Sequence, residues 1–139
     1  TYKESLYKKY GITQNFIQDD ISTSSHNVLR GIYGDASTTK LVSCVYGEFY
    51  LVVVNNNPDS TQHKEWQSFY LSDVNRKQVL IPPMHGNGHL VLSDLAIFHY
   101  KQTTEYNREG QFTIKWDDPE YNIKWPVKNP ILSKRDGGS

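Results

Sequence analysis

The chain has 139 residues with 15 basic and 15 acidic side chains, so its formal net charge is zero. That balance argues against a nucleic-acid binder, which normally presents a clustered basic footprint, and the length fits one domain over residues 1–139. No apolar run approaches the roughly 18 residues of a membrane span, and the N-terminus carries no signal-peptide pattern.

Residues 2–10 place Tyr2, Leu6, Tyr7 and Tyr10 at near-helical spacing, with Gly11 as a stop, and predict one short N-terminal helix. From residue 16 onward the pattern is β. Strands are expected over Phe16 to Ser22, Val28 to Tyr33 and Lys40 to Asn55, the last as a hairpin through Tyr46-Gly47-Glu48. Asn55 to Ser60 is a loop by its turn chemistry. Further strands are expected at Glu65 to Leu71, Gln78 to Pro82, His89 to Val91, Ala96 to Lys101 and Gln111 to Trp116. Short strands with turn signals between them indicate a β-sandwich or barrel rather than βαβ units. Aromatics make up 13 % of the chain, with ten tyrosines and three tryptophans, which suits such a fold or a ring-stacking site. Cys44, the single cysteine, allows no internal disulfide, fits a reducing cytoplasm and reads as a small core residue.

Several motifs stand in order along the chain. Asn27 to Tyr33 reads NVLRGIY and puts Arg30 inside an apolar strand, where burial without an anionic partner is costly. Asn75 to Pro82 reads NRKQVLIP, and Ser93 to Lys101 ends in Phe98-His99-Tyr100-Lys101. Trp116-Asp117-Asp118-Pro119, Ile123-Lys124-Trp125-Pro126 and Pro130 to Asp136 close the series. Together these segments resemble the dTDP-4-dehydrorhamnose 3,5-epimerase family, small sugar-nucleotide epimerases of cupin fold. The family's patterns are VLRG(L/I)H, N-x-x-Q-x-x-I-P, LS-x-x-A-x-x-x-YK, WNDP, I-x-WP and P-x-LS-x-KD. Gly86-Asn87-Gly88-His89 departs from the usual AHGF. It looks closer to the GNAH variant of epimerases that act on nucleotide-linked heptoses, which makes Asn87 a substrate-binding candidate.

The resemblance implies an all-β, cupin-type jelly roll and a cofactor-independent cytoplasmic enzyme of deoxysugar synthesis for surface polysaccharide. It would act at C3, C5 or both of a 4-keto-6-deoxy sugar linked to dTDP or GDP. It also implies a homodimer built by sheet extension. The family's R-G-x-F motif, which reaches into the neighbouring subunit's site, precedes the position of Thr1 in the family, and this sequence is expected to start just after it, without that arm. A different class of function stays open beside this one: a catalytically silent cupin that binds a sugar nucleotide or a protein partner.

Inverting a carbon next to a ketone needs a base and an acid on opposite faces of the sugar, plus a cation near the developing oxyanion. By the resemblance Tyr100 is the acid and Lys40 stabilises the enolate. Asp136 orients the base, Arg30 grips the diphosphate through its planar fork, and Gln18 is a polar nucleotide contact. The family commonly has Asn where this chain has Asp20, a residue that repels a diphosphate unless paired. The bland alternatives are a core tyrosine for Tyr100, a solvated edge charge for Lys40, a tail aspartate for Asp136, and an ion pair with Asp19 or Asp20 for Arg30. Tyr33 stands where the family has its catalytic histidine. A free phenol titrates near pH 10, so about one molecule in a thousand is phenolate at neutral pH. Leu51 replaces a further family carboxylate near the base, and the two changes read together as altered or lost proton abstraction. His89 is the stand-in base if it faces the barrel interior. His85 lies in a loop, and His99 points away from Tyr100 because adjacent strand residues face opposite sides. His85 and His89 lack the spacing of a metal site, so none is expected. Trp116 and Trp125 are expected to cover the barrel end or stack on the nucleotide base.

Overall fold

Strand β1 (Gln18–Ser25) alternates partly buried and exposed positions along its length. A period of two turns Gln18, Asp20, Ser22 and Ser24 to one side and Asp19, Ile21 and Thr23 to the other. The same logic runs through β2 (Val28–Gly34), β3 (Lys40–Tyr46), β4 (Glu48–Asn55) and β5 (Trp66–Ser72). It continues in β6 (Gln78–Ile81), β7 (His85–Val91), β8 (Leu95–Gln102), β9 (Phe112–Thr113) and β10 (Ile131–Leu132). The computed structural model describes residues 15–105, 110–133 and 136. The helix expected over residues 2–10 lies outside them.

Two sheets face each other. One runs β1-β8-β3-β6 and the other β10-β2-β7-β4-β5, with β9 also on β2. The first eight strands pair antiparallel as β1 with β8, β2 with β7, β3 with β6 and β4 with β5. This is the pairing of a long hairpin rolled into two layers, the jelly roll of the cupins.

The rolled topology corrects one expectation. Lys40 to Asn55 is not a hairpin: β3 pairs with β6 and β8, whereas β4 pairs with β5 and β7 in the other sheet. Gly47, at φ +80°, carries the chain across between the layers. Turn chemistry alone marks that reversal without showing which sheet each arm joins. His85 opens β7 rather than lying in a loop, since β7 extends four residues further back than expected. Residues 111–116 hold only the two-residue β9.

Apolar side chains form two layers. Val42, Phe49, Leu51, Leu71, Val91 and Phe98 fill the space between the sheets. On the outer face of the second sheet, Leu29, Ile32, Tyr50, Val52 and Leu90 are covered by the segment after β9. Trp116 and Trp125 belong to that cover, not to the barrel end or a base-stacking site. Trp125 lies edge-on to Tyr50 at 5.8 Å, and its Nε1 donates to the Trp116 carbonyl at 2.8 Å. Burying apolar side chains on both faces of one sheet is the main stabilising term of such a fold.

Candidate active site

Where the inward positions of β1, β2, β3, β7 and β8 become polar, they enclose a pocket of about 400 Å³. Gln18, Asp20, Arg30, Tyr33, Lys40, Asn87, His89 and Tyr100 all line it. The pocket therefore gathers eight of the nine site residues named from the sequence. The ninth, Asp136, touches it through Tyr33.

Arg30 and Tyr33 share the inward face although an odd spacing on a regular strand would separate them. Arg30 pairs with His89 and Tyr33 with Asn87, so three steps on β2 match two on β7. One extra residue is accommodated as a bulge, which turns Tyr33 back into the barrel. Gly31 sits in that bulge at φ +133°. A Cβ there would run into Gly88 Cα and lie 2.9 Å from the Asn87 carbonyl oxygen.

The Arg30 Nε donates to Ser24 Oγ at 2.8 Å. Asp19 is turned outward to Lys101 at 2.8 Å and His99 at 3.6 Å, while Asp20 is engaged by Gln18 and Tyr100. No ion pair of Arg30 occurs among the described residues, and its guanidinium lines the pocket. The Lys40 Nζ approaches Asn87 Oδ1 at 3.4 Å and lies 5.3 Å from the centre of the Tyr100 ring.

Each tyrosine of the pocket donates to a carboxylate. The Tyr33 hydroxyl donates to Asp136 Oδ1. Asp136 is 8 % exposed, and its Oδ2 also accepts from Ser133 Oγ at 2.9 Å and Gly31 N at 3.4 Å. Across the pocket the Tyr100 hydroxyl donates to Asp20 Oδ2 at 3.0 Å, and Gln18 Nε2 donates to the same oxygen at 3.0 Å. Asp20 and Tyr100 are directly opposed in the β1–β8 register. Asp136 is thus no tail aspartate in solvent.

His89 does face the interior, 4 % exposed and stacked on Phe98 with ring centres 4.1 Å apart. Burial, then the charge of Arg30, depress its imidazole to about 3, so it is neutral at physiological pH. Leu51 lies directly opposite His89 in the β4–β7 register, and its apolar side chain adds to that burial. His99 lies on the outer face beside Asp19, and His85 is bonded to the Pro83 carbonyl, outside the pocket. Among the described residues no three metal-ligating side chains converge. The Cys44 thiol is buried and pushed up to about 11 by desolvation, which leaves it a core residue.

Sequence reasoning missed Ser22, Ser24, Phe98 and Gln111 as parts of this pocket or its support. The period-two pattern from Gln18 and Asp20 points at the two serines. Gln111 carries no comparable signal, since it enters from the segment leading into β9.

A jelly roll whose interior gathers an arginine with no ion pair among the described residues, a lysine and two tyrosine–carboxylate pairs defines a polar cupin-type pocket. The chain belongs to the dTDP-4-dehydrorhamnose 3,5-epimerase family, which it matches over residues 1–139. Relatives so described include those of Methanothermobacter thermautotrophicus, 37 % identical over 98 % of this chain and 76 % of its own length, and of Escherichia coli, 40 % identical over 91 % and 70 %. Among solved structures, the dTDP-6-deoxy-D-glucose-3,5-epimerase of Legionella pneumophila in complex with dTDP-4-keto-L-rhamnose superposes with a TM-score of 0.92 at 35 % identity. That match covers 99 % of this chain and 75 % of the other. The Bacillus anthracis enzyme, solved with TDP and PPi bound, gives 0.93 at 32 % identity over 97 % and 79 %. The jelly roll and the family resemblance read from the motifs are both borne out.

Proposed function

We propose that this chain epimerises a nucleoside-diphosphate 4-keto-6-deoxy sugar at C3, C5 or both, without a cofactor. One observation carries this: Arg30, Lys40, Tyr33 and Tyr100 converge from three strands on one pocket between the sheets. Arg30 takes the diphosphate, whose two neighbouring anionic groups match a guanidinium fork. Lys40 offers positive charge where an enolate oxygen develops. Gln18 and Asn87 supply polar contacts to the sugar nucleotide.

Proton removal falls to Tyr33 with Asp136 rather than to His89. An imidazole held near 3 binds a proton weakly at neutral pH, and a proton added there would sit beside Arg30. The Tyr33–Asp136 pair accepts a carbon-bound proton on the phenol oxygen as the phenolic proton moves to the carboxylate. Tyr100 faces the pocket from the opposite sheet and delivers the proton that inverts the centre. Among nucleotides dTDP is preferred over GDP, in line with the dTDP-linked ligand of the Legionella relative. A cytoplasmic location, a homodimer formed by sheet extension and a place in surface-polysaccharide synthesis complete the reading.

The test is incubation of the protein with dTDP-4-keto-L-rhamnose in D₂O, followed by NMR of C3 and C5. Deuterium is expected at one or both carbons. Binding without any exchange would make the chain a sugar-nucleotide binding module instead.

A further inference from the structure

Asp20 has no place in the reaction so far, and as a carboxylate in a diphosphate pocket it is electrostatically misplaced. Its surroundings give it a different role. Asp20 Oδ2 accepts the Tyr100 hydroxyl at 3.0 Å and is held in place by Gln18 Nε2 at 3.0 Å. Cross-strand register fixes Asp20 opposite Tyr100, so the contact is built into the sheet rather than made by a long side chain reaching over. On the other sheet Tyr33 and Asp136 form the matching pair. Together the two contacts give the pocket a phenol–carboxylate pair on each wall.

We propose that Asp20 is a positioning and proton-accepting partner that lets Tyr100 remove a proton as well as supply one. The inference rests on the epimerase reading. In the step, the C–H proton of the substrate moves to the Tyr100 oxygen while the phenolic proton moves to Asp20 Oδ2. The C–H electron pair becomes the C=C bond of an enolate, whose oxygen charge faces Lys40. The net change is one proton carried from carbon to Asp20. Reversal of the same path returns a proton to the same face, so the centre exchanges its hydrogen with solvent but keeps its configuration. Inversion requires Tyr33 to deliver its phenolic proton to the other face. Water then reprotonates Tyr33, and Asp20 releases its proton to water.

This predicts a separation of exchange from inversion that a purely structural Asp20 would not produce. In Tyr33→Phe, incubated with dTDP-4-keto-L-rhamnose in D₂O, deuterium incorporation is expected to continue while net epimerisation falls by about a hundredfold, the usual scale of a lost acid–base group. In Tyr33→Phe/Asp20→Asn the exchange is expected to fall by a similar factor, and in Tyr33→Phe/Asp20→Glu it is expected to recover in part. Asp20→Asn is isosteric and keeps an acceptor for Tyr100, so loss of fold is not its expected effect; circular dichroism of each variant checks this. If exchange disappears in Tyr33→Phe alone, Tyr100 accepts no proton and the proposal is overturned. If it persists undiminished in Tyr33→Phe/Asp20→Asn, another group accepts the proton and the proposal is again overturned. Absence of exchange in the unaltered chain defeats the epimerase reading itself, and this proposal with it.

Discussion

His89 shows how one buried side chain ties the pocket to the stability of the whole fold. It is enclosed by Phe49 and Phe98, with ring centres 5.2 and 4.1 Å away, and it faces Arg30 across the β2–β7 register. An imidazolium here would be desolvated and beside a like charge, which is why its pKa falls from 6.5 to about 3. The sign of the linkage follows. Unfolded His89 takes up a proton as pH drops through 6.5, whereas the folded form stays neutral until about 3. Stability is full above 6.5 and declines below it, at up to about 1.4 kcal/mol per pH unit. Urea unfolding at pH 5 should therefore give about 2 kcal/mol less stability than at pH 7, and His89→Gln should remove most of that difference. An equal difference in the variant would assign the pH dependence to other groups. The inward direction of His89 was legible only through the likeness of Gly86 to His89 to the GNAH pattern. Its neutrality was not, because neither the aromatic stack nor Arg30 is near it in sequence.

At the scale of the element, the bulge in β2 does most to shape the site. The sequence motif around Arg30 names the right residues, but regular alternation would have sent Arg30 and Tyr33 to opposite faces. The extra residue restores them to one face, and Gly31 makes it possible by accepting a positive φ and letting β7 come close at Gly88. Gly31→Ala combines an unfavourable φ with a collision against backbone that has no freedom to move aside. A loss of about 3 kcal/mol or more in urea unfolding is expected, together with weaker binding of dTDP by calorimetry, because Arg30 and Tyr33 flank the distortion. A neutral effect on both would show that β2 can reach the site without the bulge. The β3–β4 reversal failed to read correctly for a related reason. Gly47 marks a change of direction, but the choice between hairpin and crossover is made by partners 20 or more residues away: Leu41 opposite Leu80, and Phe49 opposite Leu71.

At the scale of the whole molecule, the segment after β9 links the outer core to the chemistry. It crosses the outer face of the second sheet and pins Tyr50, whose hydroxyl donates to the Lys124 carbonyl at 2.7 Å. It then adds β10 beside β2 in parallel and ends the described chain with Asp136 under Tyr33. The order of the closing motifs let the sequence identify Asp136, but only the fold shows that a carboxylate 103 positions from Tyr33 is delivered by a strap anchored on tryptophans. Trp125 is the anchor to remove. Truncating it takes away the edge-on contact with Tyr50 and the hydrogen bond to the Trp116 carbonyl. Because Trp125 is half-buried, Trp125→Ala is expected to cost about 2–3 kcal/mol, somewhat below the usual loss for a fully buried tryptophan. The strap also positions Asp136, so deuterium exchange into the 4-keto sugar should slow in the same variant under conditions where it remains folded. Lower stability with unchanged exchange would show instead that Ser133 and Gly31 are enough to hold Asp136. The outer core would then support the fold without tuning the pocket.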